Sequence, residues 1–455
     1  MLKKFRNKPT ILYWLSPAQI MVFGFGSIIL LGAFLLTLPI ASNKGVWTPF
    51  IDCLFTATSS VCVTGLVVLD TSLHWSLFGK IVIILLIQIG GLGFMTISTL
   101  IVLFLGKKVD IRQRVLIKES YNQDHISGTI KMVLAVIKYT FSVEILGSII
   151  LSTVFIPEFG FYKGIGYSVF HSISAFCNAG FDLFGSKYGA FTSISHYYNN
   201  PVVVFTIAAL IILGGAGFFV GANILSGKSL KKWKLTSKLG VLIMVFLLVL
   251  GTVLLFTGEY NHSLSGMTGL EKFEVAFFQS VTARTAGFAT IDLTKFRESS
   301  LLVMIFLMFI GASPASTGGG IKTTTFAVLL LALRTFLKNE SEITVFRRRI
   351  GVYTIRKSIG VLVMGMIFLL VGTYLISATQ GPKFGLLESS FEVTSAYATV
   401  GLSLAGTNNL NGLGRFILIV LMFAGRVGSL TLVSIFIKEN KMKNVRYAEE
   451  SITVG

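Results

Sequence analysis

The chain has 455 residues, of which 53% are hydrophobic and 13% charged, with 39 phenylalanines and a mean hydropathy of +0.79. A water-soluble chain of this length would divide into about three domains, but recurring apolar runs of the roughly 20 residues that cross a bilayer predict an all-α polytopic membrane protein instead. The net charge of +19 invites a nucleic-acid partner, yet the basic residues sit in the connections between apolar runs, which argues against one.

In chain order, Met1 to Thr10 is a short basic segment with Lys3, Lys4, Arg6 and Lys8. No small-residue cleavage site follows the first apolar run, Ile20 to Leu38, which therefore reads as a retained helix and not a removed signal peptide. Next come a short segment ending at Gly65 and the run Ile81 to Leu105, which contains Gly90-Gly-Leu-Gly93. After the basic stretch Lys107 to Lys138, the run Val133 to Phe155 carries Glu144, an intramembrane acid that needs a partner or a wet face. A second short segment ends at Gly180. Its His171 reads as a packing or hydrogen-bonding residue, since no second metal ligand is in register. The run Val202 to Leu225 contains Gly214-Gly-Ala-Gly217 and leads into Lys228 to Lys238. Leu239 to Phe256, a third short segment ending at Gly287, and Leu301 to Ile310 follow. Arg284 lies in that third segment and is expected to point away from the axis, toward neighbouring carbonyls or an acid. The basic stretch Arg334 to Lys357, the run Ile359 to Ile376, a fourth segment ending at Gly401, and Phe416 to Ile437 with Gly425-Arg-Val-Gly428 complete the pattern.

The four short segments superpose without gaps. They are Phe55-Thr-Ala-Thr-Ser-Ser-Val-Cys-Val-Thr-Gly65-Leu66, Phe170-His-Ser-Ile-Ser-Ala-Phe-Cys-Asn-Ala-Gly180-Phe181, Phe277-Phe-Gln-Ser-Val-Thr-Ala-Arg-Thr-Ala-Gly287-Phe288 and Phe391-Glu-Val-Thr-Ser-Ala-Tyr-Ala-Thr-Val-Gly401-Leu402. Their glycines lie 115, 107 and 114 residues apart. This divides the chain into repeat units 1–106, 107–226, 227–338 (with a broken second helix) and 339–438, followed by a tail, 439–455. Each segment is too short to span and ends in irregular backbone, which survives at membrane depth only when buried in protein or lining water. Four such stretches around one axis would present backbone carbonyls as a cation filter does. The filter residues are then Val63, Thr64 and Gly65; Asn178, Ala179 and Gly180; Thr285, Ala286 and Gly287; Thr399, Val400 and Gly401. The small-residue patches in the second run of each unit, the third being Gly311-Ala-Ser-Pro314, permit close helix packing or mark bends that shape the inner pore. Asp52, Glu274 and Glu388 lie three residues before the anchor phenylalanines, where an acid suits the first turn of a short helix and would also draw cations to a vestibule. Unit two has Tyr167 there.

Unit three differs. Leu301 to Leu337 would be about 55 Å of continuous helix, but Pro314 and Gly318 to Gly320 interrupt it. A broken helix with a loop beneath the filter is predicted. Lys322 and Arg426 are the two charges expected near that loop. Lys322 either serves there or snorkels to the interface, and Arg426 either holds the loop or anchors neighbouring helices. With the N-terminus and every second connection on one side, that side holds 27 of the 39 basic residues and 8 acids, against 9 basic residues and 11 acids opposite. This positive-inside bias puts both termini in the cytoplasm of a cell-membrane protein, where the basic loops could also meet anionic lipid. Cys53, Cys62 and Cys177 show no CxxC spacing, so neither a disulfide framework nor a zinc site is indicated. HExxH, GxSxG with plausible partners and Walker-type loops are all missing, so no enzyme is expected. A Na⁺-coupled secondary transporter of another small solute is the rival, although such folds show two halves, often inverted, and not four same-direction repeats.

The single-glycine segments Val63-Thr64-Gly65-Leu66, Asn178-Ala179-Gly180-Phe181, Arg284-Thr285-Ala286-Gly287-Phe288 and Thr399-Val400-Gly401-Leu402 resemble those of the Trk/Ktr/HKT superfamily of K⁺ transporters, nearest the bacterial Ktr membrane subunit. The resemblance implies eight transmembrane helices, four re-entrant pore loops, pseudo-fourfold symmetry around one central pore, and a homodimer with a pore per subunit. It implies K⁺ as the transported ion, held by filter backbone carbonyls, since all four filter positions are Gly where related Na⁺-preferring plant proteins carry Ser in the first. It also implies a gate formed by Gly311, Ala312, Ser313, Pro314, Ser316, Thr317, Gly318, Gly319, Gly320, Lys322 and Arg426. A separate cytosolic nucleotide-binding (RCK-type) ring subunit is implied as partner, with the tail ending Ser451-Ile-Thr-Val-Gly455 at a dimer or ring contact. No cofactor is expected in this chain, and Na⁺ is a candidate activator.

Overall fold

The computed structural model describes residues 16–105, 109–120, 128–227, 229–382, 384–428, 431–432 and 450. The basic N-terminal segment and the tail contact expected around 451–455 lie outside these residues. Helices dominate: α1 (Pro17–Thr37), α2 (Phe50–Cys62), α3 (Thr71–His74), α4 (Leu77–Leu92), α5 (Phe94–Phe104), α6 (Ile111–Ser120), α7 (Thr129–Phe159), α8 (Phe161–Phe176) and α9 (Gly185–Tyr188). The second half contains α10 (Pro201–Gly215), α11 (Phe218–Leu225), α12 (Leu235–Glu259), α13 (Gly269–Thr282), α14 (Glu298–Phe309), α15 (Thr323–Leu337), α16 (Val352–Thr379), α17 (Leu386–Tyr397) and α18 (Gly412–Val427). Between α15 and α16 a hairpin pairs β1 (Thr344–Val345) antiparallel with β2 (Arg348–Arg349), Val345 opposite Arg348.

Among the described residues four helices, α1, α7, α12 and α16, are long and apolar enough to span a membrane, and the bent pairs α4–α5 and α10–α11 are so when each is taken as one span. The start of α1 is written locally. Ser16 and Gln19 form a reciprocal capping box ahead of Pro17, and α1, at 21 residues, covers about 30 Å. The long helices keep apolar side chains outward. Leu30, Leu31 and Phe34 of α1 and Leu370 of α16 are each about 60% exposed or more, the inverse of a soluble fold and what lipid contact requires.

Behind each long helix comes a short one: α2, α8, α13 and α17. These carry the core. Every residue from Cys53 to Cys62 except Leu54 is buried, as are Ser389 and Phe391 to Tyr397. Their hydroxyls satisfy helix carbonyls, as Thr56 does to Asp52 O at 2.8 Å and Thr394 to Ser390 O at 2.7 Å.

The second apolar run of each unit is bent or interrupted. The chain turns by 98° between α4 and α5 and by 105° between α10 and α11. The turning residues Gly93 and Gly217 have φ of +82° and +97°, and Gly428, at the end of α18, has +94°, a region costly for residues with a Cβ. The bend reading of the small-residue patches holds, and so does the packing reading. Gly90, Gly214 and Gly425 lie directly against the carbonyls of Val61, Phe176 and Tyr397, each four residues before the glycine that ends its short segment. In unit three the helix breaks into α14 and α15, with 310–322 between them, as the proline and glycines predict.

Candidate ion pathway

Each short helix ends in the same backbone device. Val63, Asn178, Thr285 and Thr399 have φ between +51° and +74°, and the glycine two positions later is also left-handed: Gly65, Gly180, Gly287 and Gly401 at +93°, +68°, +80° and +98°. The four glycines close a ring. A Cβ on Gly180 would meet Ala286 O at 2.7 Å and Gly287 Cα at 2.9 Å, and one on Gly287 would meet Val400 O at 2.6 Å and Gly401 Cα at 3.1 Å. One on Gly401 would strike Thr64 O and Gly65 Cα, and one on Gly65 would strike Ala179 O and Gly180 Cα. Glycine is required by backbone conformation and by the approach of the next unit's carbonyl together.

Side chains hold these loops in register. Ser59 and Ser395 accept from the N–H of Gly65 and Gly401, both at 3.0 Å. Ser174 donates to Phe181 O at 2.8 Å and Thr282 to Phe288 O at 2.7 Å. The outgoing strands are tied three residues after the glycines. His171 Nε2 accepts from Leu183 N at 3.2 Å, Glu392 accepts from Leu404 N at 3.0 Å, and Gln279 donates to Thr290 Oγ1 at 3.2 Å. His171 also bonds Tyr167 O and stacks on Phe184, in keeping with the packing reading. The Asn178 amide bridges to Thr285 Oγ1 at 3.2 Å. With its nitrogen toward the Ala175, Phe176 and Ile211 carbonyls, each also 3.2 Å away, all its polar atoms are matched. Arg284 donates to Met244 O of α12 at 2.8 Å, behind the loops as expected. Glu144 finds partners within the bundle: Gln88 Nε2 donates to it at 3.2 Å, and the Cys177 thiol lies 3.9 Å away.

On one side of the ring opens a cavity of about 640 Å³, lined by the four glycines, by Leu66, Phe181 and Leu402, and by Asp182 and Asp292. Two of the three acids expected from the repeat take the expected place. Asp52 and Glu388 occupy first turns, but Glu274 lies in the second turn of α13, whose first-turn acid is Glu271 in a capping box with Thr268. Asp52 is buried in an ion pair with Arg415 of α18, so its charge is matched between units one and four and does not line the cavity. Nothing in the alignment of short segments pointed to Arg415, because its partner lies 363 residues away.

On the other side, the chain from Gly311 to Lys322 crosses beneath the ring. Ser313 N donates to Gly215 O at 3.0 Å, and Gly319 N to Thr399 Oγ1 at 3.0 Å. A Cβ on Gly318 would meet Ala312 Cβ at 2.8 Å and Thr285 Cβ at 2.9 Å. Pro314 and Ala315 sit beside the α10–α11 bend, where Phe218 N donates to Ala315 O at 2.7 Å, and Ser316 caps Ser313 O at 2.5 Å. Lys322 does not snorkel; its Nζ donates to Gly318 O at 2.5 Å and approaches Gly319 O at 3.5 Å. Arg426 donates to Thr317 O in the loop and to Gly90 O at the end of α4, so it touches the loop and a neighbouring helix alike. A second cavity of about 330 Å³, lined by Gly318, Gly320, Lys322, Lys357 and Arg426 among others, lies below. The arrangement is a ring of four glycines, each against the backbone carbonyl of the next unit, with a cavity on either side and a glycine-rich segment lining the lower one.

Comparison with known proteins agrees with this architecture. Residues 18–447 match the family model TrkH, described as a cation transport protein. The chain is 41% identical over 446 residues to the potassium/sodium uptake protein NtpJ of Enterococcus hirae, covering 97% of this chain and 98% of that one. It is 38% identical over 453 residues to the Ktr system potassium uptake protein B of Bacillus subtilis, covering 99% of each. The crystal structure of the potassium transporter TrkH from Vibrio parahaemolyticus superposes with a TM-score of 0.73 at 18% identity, over 95% of this chain and 87% of that one, and shows the shared fold. A polytopic, mostly helical membrane protein with a ring of four glycines at its centre, this chain belongs to the TrkH family of cation transport proteins, a transporter family and not an enzyme family.

Proposed function

We propose that the chain takes up K⁺ across the cell membrane through one pore, with eight transmembrane helices and four re-entrant pore loops in pseudo-fourfold array. The observation that carries this reading is the closed ring in which each glycine abuts the carbonyl of the next unit. Carbonyls so arranged replace an ion's hydration shell without a charged side chain. The relatives' roles in potassium uptake support the same ion, and the name of NtpJ, potassium/sodium uptake, supports Na⁺ as a second ion or activator. The segment 311–322 is the gate, which Arg426 and Lys322 hold closed through their bonds to its carbonyls. Both termini are cytoplasmic, and the basic connections there receive a nucleotide-binding ring subunit, on a membrane chain that pairs as a homodimer.

Expression in a bacterium stripped of its K⁺ uptake systems tests the reading. Growth at micromolar K⁺ that the chain restores, and that a Gly318–Gly320 deletion renders independent of any ring subunit, is expected. Failure to restore growth by a chain that reaches the membrane, with or without a ring subunit, contradicts the uptake assignment; a deletion without effect on flux contradicts the gate.

A further inference from the structure

We propose that a groove at the start of α12, separate from the two cavities that flank the glycine ring, is a binding site for an anionic phospholipid. The groove encloses about 850 Å³ between the first three turns of α12, Leu330 of α15 and the turn of the β hairpin. Its wall is almost wholly apolar, built largely from Leu242, Val245, Phe246 and Phe346, each about half exposed. Charge enters only at one end, through Lys231 and Lys238.

That end is built. Lys238 Nζ donates to Lys231 O at 3.0 Å and lies 5.7 Å from the centre of the Phe346 ring. Phe346 reaches this place because it and Arg347 form the hairpin turn with φ of +47° and +59°. Positive φ at both central residues is what a two-residue hairpin turn requires, so the pairing of Val345 with Arg348 fixes where Phe346 stands. The surroundings are one-signed. The stretch 228–238 holds five lysines and no acid, and Arg347 and Arg348 follow Phe346 directly. Glu342, the acid nearest in the hairpin, is already paired with Arg349 at 3.0 Å.

An apolar trough continuous with the lipid-facing flank of α12, ending in two lysines, matches acyl chains below a negatively charged headgroup. A neutral lipid would leave the lysines unmatched, and a small soluble anion would leave the trough unused. A cytosolic protein would have to reach half-exposed leucine and valine on a membrane-spanning helix.

Trp233, which lines the groove and is 7% exposed, reports occupancy. The full chain is reconstituted in phosphatidylcholine vesicles carrying increasing fractions of dibrominated phosphatidylglycerol or dibrominated phosphatidylcholine, and tryptophan quenching is read with Trp233→Phe as the blank. Trp233 quenching should saturate at a low fraction of phosphatidylglycerol. The preference over phosphatidylcholine should fall roughly thirty-fold in Lys231→Gln/Lys238→Gln and survive in Lys231→Arg/Lys238→Arg. Equal quenching by the two lipids, or an unchanged preference in the glutamine pair, would overturn the proposal. So would disulfide capture of a second copy, or of a cytosolic protein, by Val245→Cys in native membranes, since the native cysteines are all buried.

Discussion

Replacing Gly287 by Ala perturbs the glycine ring at a single carbon. At φ +80° an L side chain is strained, and its Cβ would sit 2.6 Å from Val400 O, 3.1 Å from Gly401 Cα and 3.3 Å from Gly180 Cα. All three obstacles are backbone, so none can rotate away. Ordinary contact begins near 3.4 Å, so the fourth loop must retreat by about 0.8 Å, a displacement that forfeits a large part of a packing contact. The conformational and overpacking costs together come to about 2–5 kcal/mol. The buried short helices around the ring will absorb part of it, and the rest appears as a widened filter. In a flux assay with K⁺ and Na⁺ as competitors, the K⁺ preference should fall at least about ten-fold, equivalent to about 1.4 kcal/mol. A folded Gly287→Ala protein with unchanged preference and rate would refute the argument that this ring sets selectivity.

Other perturbations separate the remaining parts. Arg426→Gln removes the donors to Thr317 O and Gly90 O; loss of one charge-assisted bond, about 1.5–3 kcal/mol, should raise basal flux ten-fold or more, and an unaltered basal flux would remove Arg426 from gating. Arg415→Ala strands Asp52, whose side chain is 10% exposed, and should destabilise by about 2–4 kcal/mol. The double variant Asp52→Asn/Arg415→Gln should recover most of that in thermal unfolding; equal damage from both would show that the pair is not coupled. Glu144→Ala leaves Gln88 without its acceptor beside Cys177 and should lower ion affinity, whereas Glu144→Gln should retain it in Rb⁺ competition. Identical behaviour of the two would deny Glu144 a hold on the second loop.

Much of this organisation was legible in the amino-acid order because the repeat is local. Phe and Gly ten positions apart, four times over, define a short buried helix and its terminal carbonyls whatever the surroundings. Pro314 and Gly318 to Gly320 break a helix by covalent geometry, so the interrupted third unit was equally visible. Contacts between units were not. Asp52 takes its expected place in a first turn, but its charge does not reach a vestibule, because its partner, Arg415, belongs to the last unit. Glu274 falls beyond the first turn because the Thr268–Glu271 capping box starts α13 one turn earlier than the spacing to Phe277 suggests. His171, Glu392 and Gln279 share the task of holding the outgoing strands, but with three different side chains at two registers. Only the backbone N–H or hydroxyl that each one meets reveals the equivalence.

Rb⁺ uptake into K⁺-loaded liposomes holding the purified chain, with K⁺, Na⁺ or Li⁺ as external competitor, tests the central assignment most directly. Uptake that external K⁺ suppresses and Na⁺ and Li⁺ barely affect, released further by deleting Gly318 to Gly320, is expected. Suppression by Na⁺ at the same concentration as K⁺ would contradict the claim that the four-glycine ring selects K⁺.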